Sequence, residues 1–576
     1  MKDIAIANVR NFALMGHTGA GKTLLADAIL FKMGVNDRFG STADGSSMAD
    51  WTDEEKERKI TVWAKPFDGV YKATSGQKYD VVMLDTPGYA DFYGQVVAAS
   101  SIADTGLIVV DATGGIQIGT NRAWRRCEML GLPRGIVITG LDKENANFDA
   151  AVKAIQEIWG ARCIPVVIPS KDGKKAVDVL APAGAPADMA DDVEALKNSL
   201  IESAAESDDK LIEKYLGGEA LTPDEVAAGL RKAVADCKLV PIFAVVSKND
   251  MGVVELLDNV GRLFPSPLDR VIKDAAGNAV DVAPTAPFSG MVWRVINDPF
   301  VGQLSFVRIY SGTLKADSEI FNATKGSKER IGALYFLNGK KTETIPEAEA
   351  GDIVALAKLK STTLNDTLCA TGKSVKFTPI VFPNPTAAYA VAPKTQGDED
   401  KIGTALHRVA DDDPTIRVER NAETKELIIS GMGDVHLDVT LSRMKKRSNV
   451  DILLSTPKVP YKETVTALGE GHYKHKKQSG GRGQYGEVYL KVQPLKHGDT
   501  EWFEDALVGT AVPRNFLPAI EKGLVEGLAR GAIAGYPVIN TKVSVYDGSS
   551  HDVDSSEIAF KIASSRAFAD GMSKAK

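Results

Sequence analysis

The sequence predicts a multidomain α/β and β protein: a doubly wound α/β domain, then a β-barrel, a ferredoxin-like βαββαβ domain and a last α+β domain. Three observations predict it. Apolar strands alternate with amphipathic helices through roughly the first half of the chain, the pattern of a mostly parallel sheet covered on both faces. From Phe288 short strands punctuated by Gly, Asp and Asn take over, as in an antiparallel barrel. After VFPNPT the order becomes strand, helix, two strands, helix, strand, the split βαββαβ unit. A chain of 576 residues exceeds a single hydrophobic core and divides into roughly 3–5 domains.

Bulk composition excludes several classes. The 44% hydrophobic and 25% charged content is that of a globular protein rather than a disordered one. No apolar run reaches the roughly 18 residues of a membrane span, so no membrane partner is expected. MKDIAIANVRNF has an acid at residue 3 and leaves no room for a signal peptide. Cys127, Cys163, Cys237 and Cys369 have neither metal nor disulfide spacing, and the expected location is cytoplasmic. A net charge of −7 argues against indiscriminate coating of nucleic acid, though not against a local basic contact. The acidic stretch 181–209 reads as a solvated surface segment.

NFALMG (11–16) is the first strand, and TLLADAILFKMG (23–34) is a helix with Leu24, Ala28 and Phe31 at helical spacing. Between them Gly16, His17, Thr18, Gly19, Ala20, Gly21, Lys22 and Thr23 spell G-x-x-x-x-G-K-T. Such a loop curls its N–H groups around phosphate oxygens at a helix N-terminus. Lys22 would reach the β- and γ-phosphates and the Thr23 hydroxyl would bind Mg²⁺. In YDVVMLDTPGYADF (79–92) the strand ends at Asp85, where an acid would hold the Mg²⁺ shell through water. Thr86, Pro87 and Gly88 follow, and Gly88 can bring its N–H close to a γ-phosphate because it has no side chain. TGLIVVDA (105–112) and GIVIT (135–139) are further strands, separated by a helical stretch around Thr120–Leu130. GHTGAGKT, DTPG and ITGLD therefore all fall at the carboxyl ends of strands, where doubly wound sheets bind ligands. TPDE at 222–225 is a capping box, with Thr222 as cap and Glu225 reaching back.

GHTGAGKT, ERKIT, DTPGYADF and the strand-end Asp142 together resemble the translational GTPases, specifically elongation factor G and its paralogues. The resemblance implies a P-loop GTPase domain that binds GTP and GDP with Mg²⁺. It adds Thr61 of ERKIT as a metal ligand and γ-phosphate sensor, so the implied metal set is Thr23, Thr61 and Asp85. The implied catalytic set is Tyr89, Thr61 and Gly88. Tyr89 stands where the family has a histidine that positions water, and a tyrosine hydroxyl does not titrate near neutrality. Slow, differently triggered or absent hydrolysis follows. The family's base-reading Asn-Lys-x-Asp is here Thr139-Gly140-Leu141-Asp142. Asp142 can still accept from guanine N1–H and N2–H, so selectivity can survive. The lysine stem over the base is lost at Gly140, and affinity should fall. Val246-Ser247 fills the slot of the family's Ser-Ala.

The same resemblance implies a GTPase domain over 1–272 with a helical insert at about 160–238, a translation-factor β-barrel over 284–373, the ferredoxin-like unit over 386–455 and an RNA-contacting tip domain over 456–576. In the last, Lys474, Lys476, Lys477, Ser479, Gly480, Gly481, Arg482, Gly483, Gln484 and Tyr485 form a basic, glycine-rich stretch with no acid before Glu487, suited to RNA phosphates. His551 and Asp552 open a second loop. By resemblance these loops meet rRNA and the tRNA–mRNA pair at the ribosome's decoding site. His472 and His475 lack a third metal ligand. His436 lies beside the core face of a helix and reads as structural, while Asp434-Val435 replaces the family's Glu-Leu. Elongation factor G continues beyond SSRAFADGMSKAK into a fifth domain, an absence here that puts stable docking in question. Three functions are expected: a monomeric GTPase that moves or remodels tRNA and mRNA on the ribosome, a ribosome-binding factor of that shape with little hydrolysis, or a ribosomal protection factor of the tetracycline-resistance type.

Overall fold

The computed structural model describes residues 4–298, 302–394, 399–478 and 483–575. They form two compact units, one of residues up to Glu419 with Leu427–Thr456, the other of Arg420–Glu426 with Pro457 onward.

The first unit begins with β1 (Val9–Gly16), α1 (Lys22–Lys32), α2 (Asp53–Arg58), β2 (Lys65–Lys72), β3 (Lys78–Asp85), α3 (Tyr93–Ile102), β4 (Thr105–Asp111), α4 (Ile118–Leu130) and β5 (Arg134–Thr139). It continues with α5 (Phe148–Trp159), β6 (Cys163–Pro169), β7 (Ala176–Asp178), α6 (Ala190–Ala205), α7 (Asp209–Leu216), α8 (Pro223–Ala235), β8 (Val240–Ala244) and α9 (Val253–Leu263). These strands make one sheet, ordered β2-β3-β1-β4-β5-β8-β6-β7, parallel except at its edge strands β2 and β7. Every residue of β1, β4 and β5 is buried, which is why they read as unbroken apolar runs. The chain leaves β1 to opposite sides, and the crevice at such a reversal lies at the carboxyl ends of the strands.

The stretch expected as a helical insert from about 160 differs in its first part. CIPVVIP forms β6 inside the central sheet, parallel to β8, and β7 pairs back on it. The prolines concealed this strand. Pro165 is accommodated where the register shifts between Pro165 and Val167. Helices follow only from α6, and α8 carries the Thr222–Glu225 capping box that its sequence specifies.

Next come β9 (Ser289–Asp298), β10 (Gly302–Ser311), β11 (Thr313–Lys315), β12 (Glu319–Asn322), β13 (Ser327–Arg330), β14 (Leu334–Asn338), β15 (Lys341–Ile345), β16 (Glu347–Glu349), β17 (Ile353–Ala357) and β18 (Thr367–Cys369). Eight of them form an antiparallel sheet ordered β13-β12-β18-β9-β10-β17-β14-β15, and β11 pairs with β16. A buried network ties this sheet to the first. Arg308 pairs with Asp104 at 2.7 Å and donates to the Gly351 carbonyl, while the Asn11 amide donates to both Asp104 and Gly351 at 2.9 Å. The unit ends with β19 (Ala387–Pro393), α10 (Glu399–Asp412), β20 (Arg417–Arg420), β21 (Leu427–Gly431), α11 (Asp434–Ser448) and β22 (Ile452–Ser455). Their sheet order, β20-β21-β19-β22, is that of two interleaved βαβ units.

The second unit contains β23 (Gly469–Lys477), β24 (Gln484–Pro494), β25 (Phe503–Asp505), α12 (Leu517–Arg530), β26 (Thr541–Ser549) and α13 (Glu557–Lys574), with strand order β23-β24-β26-β25. Val488, Leu490, Val492, Val543 and Val545 on the strands pack with Ile520, Leu524, Phe560 and Phe568 on the helices. Glu463 organises the turn after α12, accepting N–H bonds from Ala532, Ile533, Ala534 and Tyr536 at 2.7–3.0 Å. Among the described residues no helix is long and apolar enough to cross a membrane.

Candidate functional site

The loop from Gly16 to Thr23 turns between β1 and α1, at the crevice the strand order creates. Lys22 is buried, and its ammonium donates to the Gly16 and His17 carbonyls at 3.2 and 2.7 Å. Burial pushes its pKa down, while Asp85 and Asp50 oppose that shift. Asp85 ends β3 fully buried, and neither carboxylate oxygen has a hydrogen-bond partner among the described residues. Burial, reinforced by Asp50, pushes its pKa up. The Thr23 and Thr61 hydroxyls lie 2.8 Å apart, and Thr61 donates to Asp50 at 3.2 Å. The buried Asp85 carboxylate, with two unanswered oxygens, and the paired Thr23 and Thr61 hydroxyls are hard oxygen donors of the kind that suit Mg²⁺. The residues fit the nucleotide and metal that the sequence implies.

Gly88 lies against this loop. A Cβ there would fall 2.5 Å from the Lys22 ammonium and 2.7 and 2.8 Å from Thr18 Cα and N. No larger residue fits without opening the loop. Thr86 anchors the approach by donating to the Leu14 carbonyl at 2.5 Å. Tyr89 is 38% exposed and none of the described residues bonds its hydroxyl. It borders a cavity of about 340 Å³ shared with Gly16, His17, Gly88, Gly119 and Arg122.

Three residues that sequence reasoning missed, Glu55, Lys65 and Asp50, hold Thr61 in place. Glu55 is fully buried and accepts from Thr52 N and Oγ1, from Val62 N at 3.0 Å and Trp63 N at 3.3 Å, and from Lys65 Nζ at 2.6 Å. Lys65 also donates to the Ala49 carbonyl and lies 3.6 Å from Asp50. The signal that could have found this was the capping box T-x-x-E at Thr52 and Glu55, just ahead of ERKIT.

The segment after Tyr89 is tied to the βαββαβ unit. Asp91 accepts the Val435 and His436 N–H groups at 3.0 and 3.3 Å, capping α11. Arg58 pairs with Asp438 at 2.7 Å, so the Thr61 segment reaches the same helix. His436 is buried, its Nε2 3.3 Å from Asp413 and its ring edge-on to Phe92. Burial alone would raise the Asp413 pKa, but His436 and Thr415 hold it below the usual carboxylate range. His436 therefore packs and links rather than facing the phosphate loop.

On the base side, the Thr139 hydroxyl donates to the Ala20 carbonyl at 2.7 Å and the Val110 carbonyl at 3.2 Å, joining this loop to the phosphate loop. Asp142 is exposed, with its carboxylate bonded by none of the described residues. Val246 N–H is already taken up by the Met251 carbonyl, and Ser247 is buried at the turn that follows.

The expected RNA-contacting residues divide. Lys476 and Lys477 on β23 are exposed and paired with no acid among the described residues. Lys474, in a stretch with no acid before Glu487, is paired with that residue. The hairpin register sets it opposite Glu487, 3.3 Å away, and its ammonium stands 5.3 Å from the Tyr485 ring. Gln484 and Tyr485 begin β24. His472 bonds Glu487 at 2.9 Å and stacks on Tyr489, and no His/Cys/Asp/Glu cluster able to hold a metal occurs among the described residues. Gly483 N–H donates to Asp554, and His551 Nδ1 accepts from Val553 and Asp554, so the two loops meet, with Asp552 exposed between them. Ser479, Gly480, Gly481 and Arg482 lie outside the described residues.

A phosphate loop, a buried strand-end acid and a facing threonine on a doubly wound sheet define a P-loop nucleotide-binding protein. Family models extend that class along the chain: the elongation factor Tu GTP binding domain matches residues 7–266, elongation factor G domain 2 residues 287–371, domain III residues 382–456 and domain IV residues 457–576. A crystal structure of a protein from Thermus thermophilus is 34% identical with a TM-score of 0.85, covering 99% of this chain and 85% of that one. The chain belongs to the elongation factor G family of translational GTPases.

Proposed function

We propose that this protein is a translation factor that binds GTP and the ribosome and promotes tRNA–mRNA translocation or ribosome remodelling, acting as a monomer in the cytoplasm. The phosphate loop carries the reading: Lys22 lies against Gly88, the Thr23 and Thr61 hydroxyls meet at 2.8 Å, and on the neighbouring strand the buried Asp85 carboxylate has no partner among the described residues. Lys22 and the loop N–H groups grip the β- and γ-phosphates. Thr23 and Thr61, with Asp85 through water, hold Mg²⁺, which when bound neutralises charge on the phosphates. Thr61 reports the γ-phosphate to the βαββαβ unit through Arg58, and Asp91 does so from the other side. Lys476, Lys477 and the joined loops at Gly483 and His551 face RNA.

A second reading rests on Tyr89, which stands where the family has a histidine and whose hydroxyl none of the described residues bonds. In it the factor occupies the ribosome with little hydrolysis. Co-sedimentation with ribosomes in the presence of a non-hydrolysable GTP analogue, beside ribosome-stimulated phosphate release, tests both. Nucleotide-dependent pelleting with stimulated release supports the GTPase. Pelleting with no release supports the second reading, and failure to pellet sinks both.

A further inference from the structure

Gly140 is not an empty position. Its φ is +67°, and a Cβ there would lie 2.9 Å from Asp111 Oδ2 and 3.2 and 3.3 Å from Cε and Cδ of Lys143. The Lys143 stem thus crosses the space where a side chain at 140 would begin, and its ammonium pairs with the Asp111 carboxylate. The neighbourhood is fixed from both sides. Asp111 ends β4 in register with Thr139 at the end of β5, and its other oxygen accepts from Thr113 and Gly114 at 2.9 Å. Thr139 in turn holds the Ala20 carbonyl of the phosphate loop. Lys143 N–H closes the turn onto the Gly140 carbonyl at 3.2 Å. The lysine side chain is half exposed, and Asp142, its neighbour in the chain, is exposed as well.

We propose that Lys143, held by Asp111 across Gly140, supplies the apolar and cationic cover over the purine ring of a bound guanine nucleotide. The inference rests on the guanine-nucleotide reading above. A long side chain anchored at its charged end presents its methylenes to a flat ring with little further loss of freedom, and an ammonium near a ring adds attraction. Glycine at residue 140 suits this arrangement, because φ is left-handed and a Cβ there would press on the Lys143 stem and the Asp111 carboxylate. Restoring a lysine at 140 therefore obstructs the site instead of repairing it.

The test titrates the full chain and the variants Lys143→Ala, Lys143→Arg and Gly140→Lys with GDP, IDP and inorganic pyrophosphate. Lys143→Ala is expected to weaken GDP and IDP alike, by about threefold to thirtyfold, and to leave pyrophosphate unchanged. Lys143→Arg retains most of the affinity, and Gly140→Lys lowers it. Unchanged GDP binding in Lys143→Ala, an equal loss of GDP and pyrophosphate, or tighter binding in Gly140→Lys each overturns the inference while the guanine reading stands. An unsubstituted protein that binds GDP no better than pyrophosphate overturns the guanine reading and this inference with it.

Discussion

Replacing Lys65 with methionine keeps volume and removes the cation that faces Glu55 and Asp50. Lys65 is 6% exposed and Glu55 fully buried, so water cannot answer the charge that is left. Breaking a buried pair by removing one partner costs about 3–5 kcal/mol. Here the lower end applies, because Thr52 N and Oγ1, Val62 N and Trp63 N still bond the Glu55 carboxylate. About 3 kcal/mol is roughly a hundredfold in an equilibrium constant. It should appear as local release of the segment carrying Thr61, because that segment is held by this polar network beside a core that stays intact. Hydrogen exchange reads it directly. The Val62 and Trp63 amides should lose protection by roughly a hundredfold in Lys65→Met. A GTP analogue should lose more affinity than GDP. Adding Glu55→Gln, which removes the stranded charge, should recover most of the protection. Protection within about threefold of the unsubstituted protein, with unchanged GTP-analogue affinity, would refute the reasoning.

Other consequences can be checked independently. Gly88→Ala places a methyl 2.5 Å from the Lys22 ammonium, and nucleotide affinity measured by titration should fall at least tenfold, or about 1.4 kcal/mol, with little change in melting temperature. Asp104→Asn strands the buried Arg308, and thermal unfolding should show a loss of about 3 kcal/mol. Glu463 titrates in a defined window. Burial would raise its pKa, but four backbone N–H groups outweigh that and hold it at about 2. A folded pKa below the unfolded value of about 4.3 gives stability that is present above pH 4.3 and is lost as pH falls toward 2. Exchange of the 531–539 amides should therefore accelerate through that range. Glu463→Gln should destabilise the turn by about 2 kcal/mol at pH 7 and flatten that pH dependence, and a preserved pH profile would count against the clamp.

What could be read in advance was whatever was local and contiguous. The phosphate loop is eight consecutive residues, and β1, β3, β4, β5 and β8 are apolar runs because sheet or helix covers them on both faces. Edge and short strands were harder. β2, KPFDGVYK, mixes charge and glycine, and β11, β16 and β18 are three residues each, too short for a period. Tertiary pairing was out of reach. Glu487 lies thirteen positions after Lys474 but opposite it by hairpin register, and Asp50, Glu55 and Lys65 meet only when their segment folds back. Gly140 shows the limit most clearly. In the sequence it is a missing lysine, whereas in space its bareness admits the stem of Lys143.

The most direct measurement is titration of the purified chain with fluorescent GDP and a non-hydrolysable GTP analogue, with ATP as competitor and Asp142→Asn as control. Micromolar binding that ATP does not displace and that Asp142→Asn abolishes is the expected result, and it means that ITGLDKEN reads guanine. Binding with no preference for guanine over adenine would contradict the account and leave a phosphate loop without a base reader.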